Sequence, residues 1–198
     1  MGSDSLSCNS EQTDNGVLFV HMGTINQFTG ITNDTRMKTL KVNKESLFLE
    51  LISLKINPQY LINSRTEVRT RLINPFTGSQ FPDATKNILY HAYEIFHLID
   101  EYKILPDLYV SIERQQHGVI MQISSNKDVV LKWFQGTERK EKMEIMPLEP
   151  MDLSFAELVE IFESENYLNT RYFLPTNNCQ IFLKRLNHTI DEKCEKEN

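Results

Sequence analysis

Apolar residues recur along this chain in two rhythms, one helical and one alternating. Leu47, Leu51 and Leu54, with Phe48 and Ile52 beside them, follow Asn43 at helical spacing, and the Asn43 side chain is placed to cap a first turn. A longer apolar stripe, Ile88, Leu89, Ala92, Ile95, Phe96 and Ile99, predicts the best-defined helix of the chain over Ala84–Tyr102, preceded by Asp83 and ended by Pro106. Four β-rich segments follow, Asp107–Glu113, Gly118–Ser124, Asp128–Phe134 and Lys142–Met146, separated by polar turns; they should pair as a sheet. Ser154-Phe155-Ala156-Glu157 reads as a capping box opening a helix to about Glu163. Thr176 opens a last amphipathic helix through Ile181, Phe182, Leu183 and Leu186.

The remaining segments carry weaker patterns. Val17-Leu18-Phe19-Val20 fits either a strand or a helix start. Pro58, Pro75, Gly78 and Pro82 break regular structure across residues 57–82 and predict a long connection with one short element near Glu67–Leu72. Residues 1–16 are polar and predict a disordered leader, 17–190 one α/β domain, and 191–198 a frayed charged tail. The fold class is therefore α/β, a single domain with a short mixed β-sheet packed by helices.

Composition narrows the function classes. At 198 residues and 40% hydrophobic content the chain can bury a real core. Its net charge of −6 argues against sequence-independent adhesion to nucleic acid, which rests on clustered Lys and Arg. Cys8, Cys179 and Cys194 are odd in number and widely spaced, so neither a disulfide framework nor a zinc site is expected. The polar start lacks a secretory pattern, and no segment approaches the roughly 18 apolar residues of a membrane span; an intracellular protein with no membrane partner is expected. Serine nucleophile elbows and phosphate-cradling glycine loops are absent.

One stretch can carry metal chemistry. Leu105-Pro106-Asp107-Leu108-Tyr109 starts a predicted strand straight after the long predicted helix, and Gly118–Ser124 forms the next strand. An aspartate opening one strand and an acid on its neighbour can hold divalent ions that activate water, while a lysine steadies developing charge. In this order the residues resemble the PD-(D/E)XK nucleases, and more narrowly the N-terminal cap-snatching endonuclease domain of the orthomyxovirus polymerase acidic subunit, over roughly Asn43 to Leu186.

The resemblance implies a PD-(D/E)XK nuclease-like fold and a set of site positions. Asp107 fits the Pro-Asp aspartate, and Asp83 substitutes for the second acid. Glu50 stands where a histidine would be expected, and the strand acid falls on Gln122. Lys127 and Lys132 are the lysine candidates, without a clear (D/E)XK context. Catalytic remnants would thus be Asp107, Asp83, Gln122 and Lys127, with Asp83, Asp107 and Glu50 as metal ligands. A neutral ligand in place of an anion weakens a hard-cation site, so the implied site is degenerate. The resemblance accordingly implies an inactive endonuclease-like module of a viral RNA polymerase subunit, in the host nucleus or cytoplasm, in contact with other polymerase subunits and with RNA, and holding no cofactor.

Each signal also has a plainer reading. Pro106-Asp107 is a common turn between elements, and Asp83 an N-cap. His91, Glu94 and His97 at spacings of three read as a polar edge of the predicted helix, and Glu138-Arg139-Lys140-Glu141-Lys142 as a solvated hairpin turn. Two rivals follow: an acidic protein-interaction domain of immunity or adaptor type, and an active Mn²⁺- or Mg²⁺-dependent RNA endonuclease in which Glu94 or Glu113 replaces the missing acid.

Overall fold

A computed structural model describes residues 18–22, 38–42, 49, 57, 59–71, 90–115, 118–134, 137–139, 142–164, 167 and 178–197. The elements are β1 (Leu18–Met22), β2 (Lys38–Val42), β3 (Leu61–Arg71), β4 (Tyr90–Ile99), β5 (Leu108–Gln115), β6 (Gly118–Ser124), α1 (Lys127–Lys132), β7 (Trp133–Phe134), β8 (Thr137–Glu138), β9 (Met143–Pro147), α2 (Phe155–Ser164) and α3 (Cys179–Glu197). The protein is mixed α/β. Its sheet runs β2-β1-β6-β5-β4-β3-β9, and β7 and β8 form a separate ribbon. From β6 to β9 the sheet is a five-stranded antiparallel body; β1 joins its β6 edge in parallel.

Alternation along the central strands sorts the core into two layers. Ala92, Phe96 and Leu98 of β4, Val110 and Ile112 of β5, and Met121 and Ile123 of β6 pack with Leu158 and Phe162 of α2 and Phe182, Leu186 and Ile190 of α3. The opposite face buries Val68, Tyr93 and Ile95 against Val130 and Leu131 of α1. Each fully buried side chain of this size contributes about 1.5–3 kcal/mol. Among the described residues no helix is long and apolar enough to cross a membrane.

The helix expected over Ala84–Tyr102 is not formed over its described residues, 90–102. Its described part is the strand β4, followed by the turn 101–106, while residues 84–89 lie outside the described residues. The reason is burial on both faces. A central strand covered by helices on each side shows a near-continuous apolar run, and that run matched a helical stripe by chance. The strand expected over Asp128–Phe134 is instead α1 followed by β7, because the Asn126 side chain accepts from the Asp128 amide at 2.9 Å and caps a helix there.

The short element expected near Glu67–Leu72 is the eleven-residue β3. A register shift between Ile62 and Ser64 breaks its alternation, and beyond it Arg65, Glu67 and Arg69 take the helix-packed face, so no apolar period marks the strand. Residues 191–197, expected as a frayed tail, continue α3, and Asp191 Oδ1 accepts from Arg65 Nη2 at 2.6 Å. The β5 and β6 hairpin, β9 and α2 stand within a residue or two of their expected places, and the capping box forms: Glu157 Oε2 accepts from the Ser154 amide at 2.7 Å, and Ser154 Oγ accepts from the Glu157 amide at 3.2 Å. Of the helix expected from Asn43 only Leu49 is described, and it is helical. The leader 1–16 lies outside the described residues.

Candidate functional site

Asp107 stands just ahead of β5, and its Oδ2 lies 2.9 Å from Nε2 of His97. The other ring nitrogen, Nδ1, lies 3.2 Å from Asn63 Nδ2. With the Asn63 amide donating, Nδ1 accepts and Nε2–H donates to the aspartate. The ring also stacks on Tyr109, with centroids 4.7 Å apart and planes at 8°. His97 is therefore gripped on both edges and one face. Sequence reasoning placed it on a helix edge; only the pairing of β4 with β5, which sets His97 opposite Tyr109, brings it to Asp107.

The sequence-derived site residues do not gather round this pair. Gln122 lies opposite Ser111, four residues along β5 from Asp107, roughly 13 Å at strand rise. Its amide is buried and donates to Ser111 Oγ and to the Trp133 carbonyl, both at 3.1 Å, so it ties α1 and β7 to the sheet. Lys127 opens α1 at the Asp107 end of the sheet and is exposed, whereas Lys132 pairs with Asp128 at 2.9 Å. Asp83 and Glu50 lie outside the described residues. Among the described residues no group of three or more His, Cys, Asp or Glu side chains is disposed to hold a metal ion.

Neither acid proposed as a replacement joins Asp107, since Glu113 stands six residues along β5 and Glu94 lies on the opposite face of the sheet. Strand alternation puts His91 and His97 on one face of β4 and Glu94 on the other, so the three share no face. Glu113 Oε1 lies 2.6 Å from His91 Nε2, and the carboxylate also accepts from Arg139 and Gln115. Burial alone would raise the Glu113 carboxyl, but His91 and Arg139 outweigh it and hold it below the ordinary range. Burial lowers the His91 imidazole, yet hydrogen bonds with Cys179 and Glu113 bring it up to about 9. Arg139, expected on a solvated turn, is buried between the rings of Tyr93 and Phe134, at 4.2 and 4.8 Å from their centroids. The mixed-charge run gave no sign of this, since burial of one of its three cations depends on the strands it meets.

Beside Asp107 the chain turns from β4 to β5. Asp100 Oδ2 accepts from the amides of Ile104 and Leu105 at 2.8 and 3.1 Å, and the Lys103 amide donates to the Asp100 carbonyl at 2.9 Å. Lys103 takes a left-handed φ of 53°, which closes the turn. At its far end the Tyr60 hydroxyl donates to the Pro106 carbonyl at 3.0 Å. This ordered turn holds Tyr102 at 74%, Ile104 at 82% and Leu105 at 37% exposure. A sequence signal existed in the apolar Ile104-Leu105 directly before Pro106, outside any element that could bury them.

No protein-family model matches the chain, and no curated protein and no solved structure matches it either.

Proposed function

We propose that this domain acts by binding a protein partner, not by catalysis, and that the β4–β5 turn is its contact. The observation that carries this reading is Tyr102, Ile104 and Leu105 held in water on a turn fixed by Asp100 and Tyr60. Exposed apolar side chains on a rigid turn bind with little ordering cost, and clustered ones commonly mark interaction sites. Glu101 and Asp107, both exposed, flank the apolar tip, so the fitting partner offers an apolar pocket with a basic rim.

A nuclease-like ancestry fits beside this reading. Its support is Pro106-Asp107 opening β5, the β5–β6 hairpin that follows, and the location of Asp107 and Lys127 at one end of the sheet. In that version the domain is a degenerate endonuclease-like module of a viral RNA polymerase, and the turn docks on another subunit close to RNA. Gln122 and Asp107 serve structure in it, through the bonds to Ser111, Trp133 and His97.

The test is the size of the native assembly. The tagged full chain, expressed in its own cell, is expected to migrate in a complex, and Tyr102→Ser with Ile104→Ser is expected to release it as a free chain of unchanged thermal stability. An assembly unaffected by the double substitution would remove the turn from the contact.

A further inference from the structure

On the helix-packed face of β4, Glu94 is fully buried, and neither carboxylate oxygen has a hydrogen-bond partner. Arg65 Nη1 approaches Glu94 Oε1 only to 4.0 Å. That guanidinium is drawn the other way, towards α3: Nη1 donates to Asn187 Oδ1 at 2.8 Å and Nη2 to Asp191 Oδ1 at 2.6 Å, while Nε donates to the Glu149 carbonyl at 3.0 Å. One buried cation of β3 thus stands between two acids from different elements and is bonded to only one of them.

An ionised carboxylate without a donor is unfavourable in a dry interior, so the form that suits Glu94 in this arrangement is the neutral acid. Burial pushes its carboxyl up to about 8; Arg65 pulls against this, and Glu67 and Asp191 add to it. These three are the ionisable side chains that act on Glu94, two from β3 and one from α3. Its partner on β5, Ile112, is apolar, and α2 packs on this face through Leu158 and Phe162. Glu67 itself holds Arg69 at 2.6 Å.

We infer that Glu94 and Asp191 compete for Arg65, and that the proton on Glu94 decides whether the last turns of α3, from Asn187 onward, are latched to the sheet. With Glu94 neutral, Asn187 and Asp191 keep the guanidinium and the latch is closed. Loss of the proton to solvent leaves a carboxylate 4.0 Å from Nη1 with no other donor. The charge-assisted bond that forms there draws the guanidinium off Asn187 and Asp191, and the latch opens. Exposure decides the competition: the Asp191 side chain is 56% exposed and returns to water at little cost, whereas Glu94 is 0% exposed and has only Arg65. The opened turns fray without leaving the body, because Ile190 stays in the core and Lys193 stays 3.6 Å from Glu157 of α2.

The test is amide hydrogen exchange along α3 of the full chain from about pH 6.5 to about pH 9.5, corrected for the intrinsic pH dependence of exchange. Protection of residues 187–197 is expected to be level at the acid end and to fall severalfold on passing about pH 8, while residues 182–186 keep theirs. His91 loses its proton over an overlapping range and lowers the stability of the whole fold, so the comparison is made between two ends of one helix. Glu94→Gln, a neutral isostere of the protonated acid, is expected to fold and to keep residues 187–197 protected throughout. Glu67→Gln removes a negative charge beside Glu94 and is expected to move the fall to lower pH. Level protection of residues 187–197 in the unaltered chain, parallel loss at both ends of the helix, the same fall in Glu94→Gln, or an unmoved midpoint in Glu67→Gln would each overturn the proposal.

Discussion

His91 Nε2 lies 2.6 Å from Glu113 Oε1, and the same carboxylate receives the guanidinium of Arg139 from the far side. Three charged groups from β4, β5 and the segment after β8 are thus closed on one another in the interior, with Tyr93 and Phe134 stacked over the arginine. Breaking such a pair from one side leaves a buried charge without its partner.

Glu113→Gln is accordingly expected to destabilise the fold by about 3–5 kcal/mol, read by urea unfolding. A loss well under 1 kcal/mol would mean that the network is solvated and weak.

The pH dependence follows from the same groups. The folded His91 imidazole, brought up to about 9, lies above its unfolded value near 6.5, so its contribution is complete below about 6.5 and is lost as pH rises through about 9. Glu113, held below the ordinary carboxylate range, contributes above about 4.3 and is lost on acidification. Thermal unfolding should therefore show a midpoint that falls as pH rises from about 6.5 to about 9, and His91→Gln should flatten that limb. An unchanged limb in the variant would assign it to another group.

What the sequence revealed depended on whether the signal was local. The capping box at Ser154 and Glu157 is two side chains and two amides three residues apart, and it was legible in full. The β5–β6 hairpin was legible because Arg114-Gln115-Gln116 interrupts two β-rich runs. The strand β4 was not, because Ala92, Phe96 and Leu98 meet α2 and α3 while Tyr93 and Ile95 meet α1, which erases alternation. Asp107 was found as a residue but not its partner: His97 reaches it only through the β4–β5 register, and a register is a property of the sheet. Arg139 and Glu94 escaped for the same reason, since their burial is decided by neighbours far along the chain.

Restoring an acid at the strand position tests the nuclease-like site directly. Gln122→Glu removes the donor to Ser111 and to the Trp133 carbonyl and sets a carboxylate against that carbonyl in the interior. It is expected to cost about 1–3 kcal/mol or more and to create no Mn²⁺-dependent rise in unfolding temperature, because Asp107 stands roughly 13 Å away along the strand. A rise of several degrees with Mn²⁺ would bring the metal reading back.

The end of α3 carries weight beyond its charged composition. Asp191→Ala removes the acceptor of Arg65 Nη2 and is expected to lower stability measurably and to loosen the helix from Ile190 onward, as read by amide hydrogen exchange. Exchange in α3 identical to that of the unaltered chain would leave the terminal turns independent of the sheet.

Photo-crosslinking from the β4–β5 turn tests the proposed contact. A photoreactive phenylalanine analogue replaces Ile104 in one form of the full chain and exposed Lys184 on α3 in another, each expressed in the protein's own cell. One discrete crosslinked product is expected from position 104, absent from position 184 and lost when Tyr102 is also changed to Ser. No product at 104, or the same products from both positions, would contradict it.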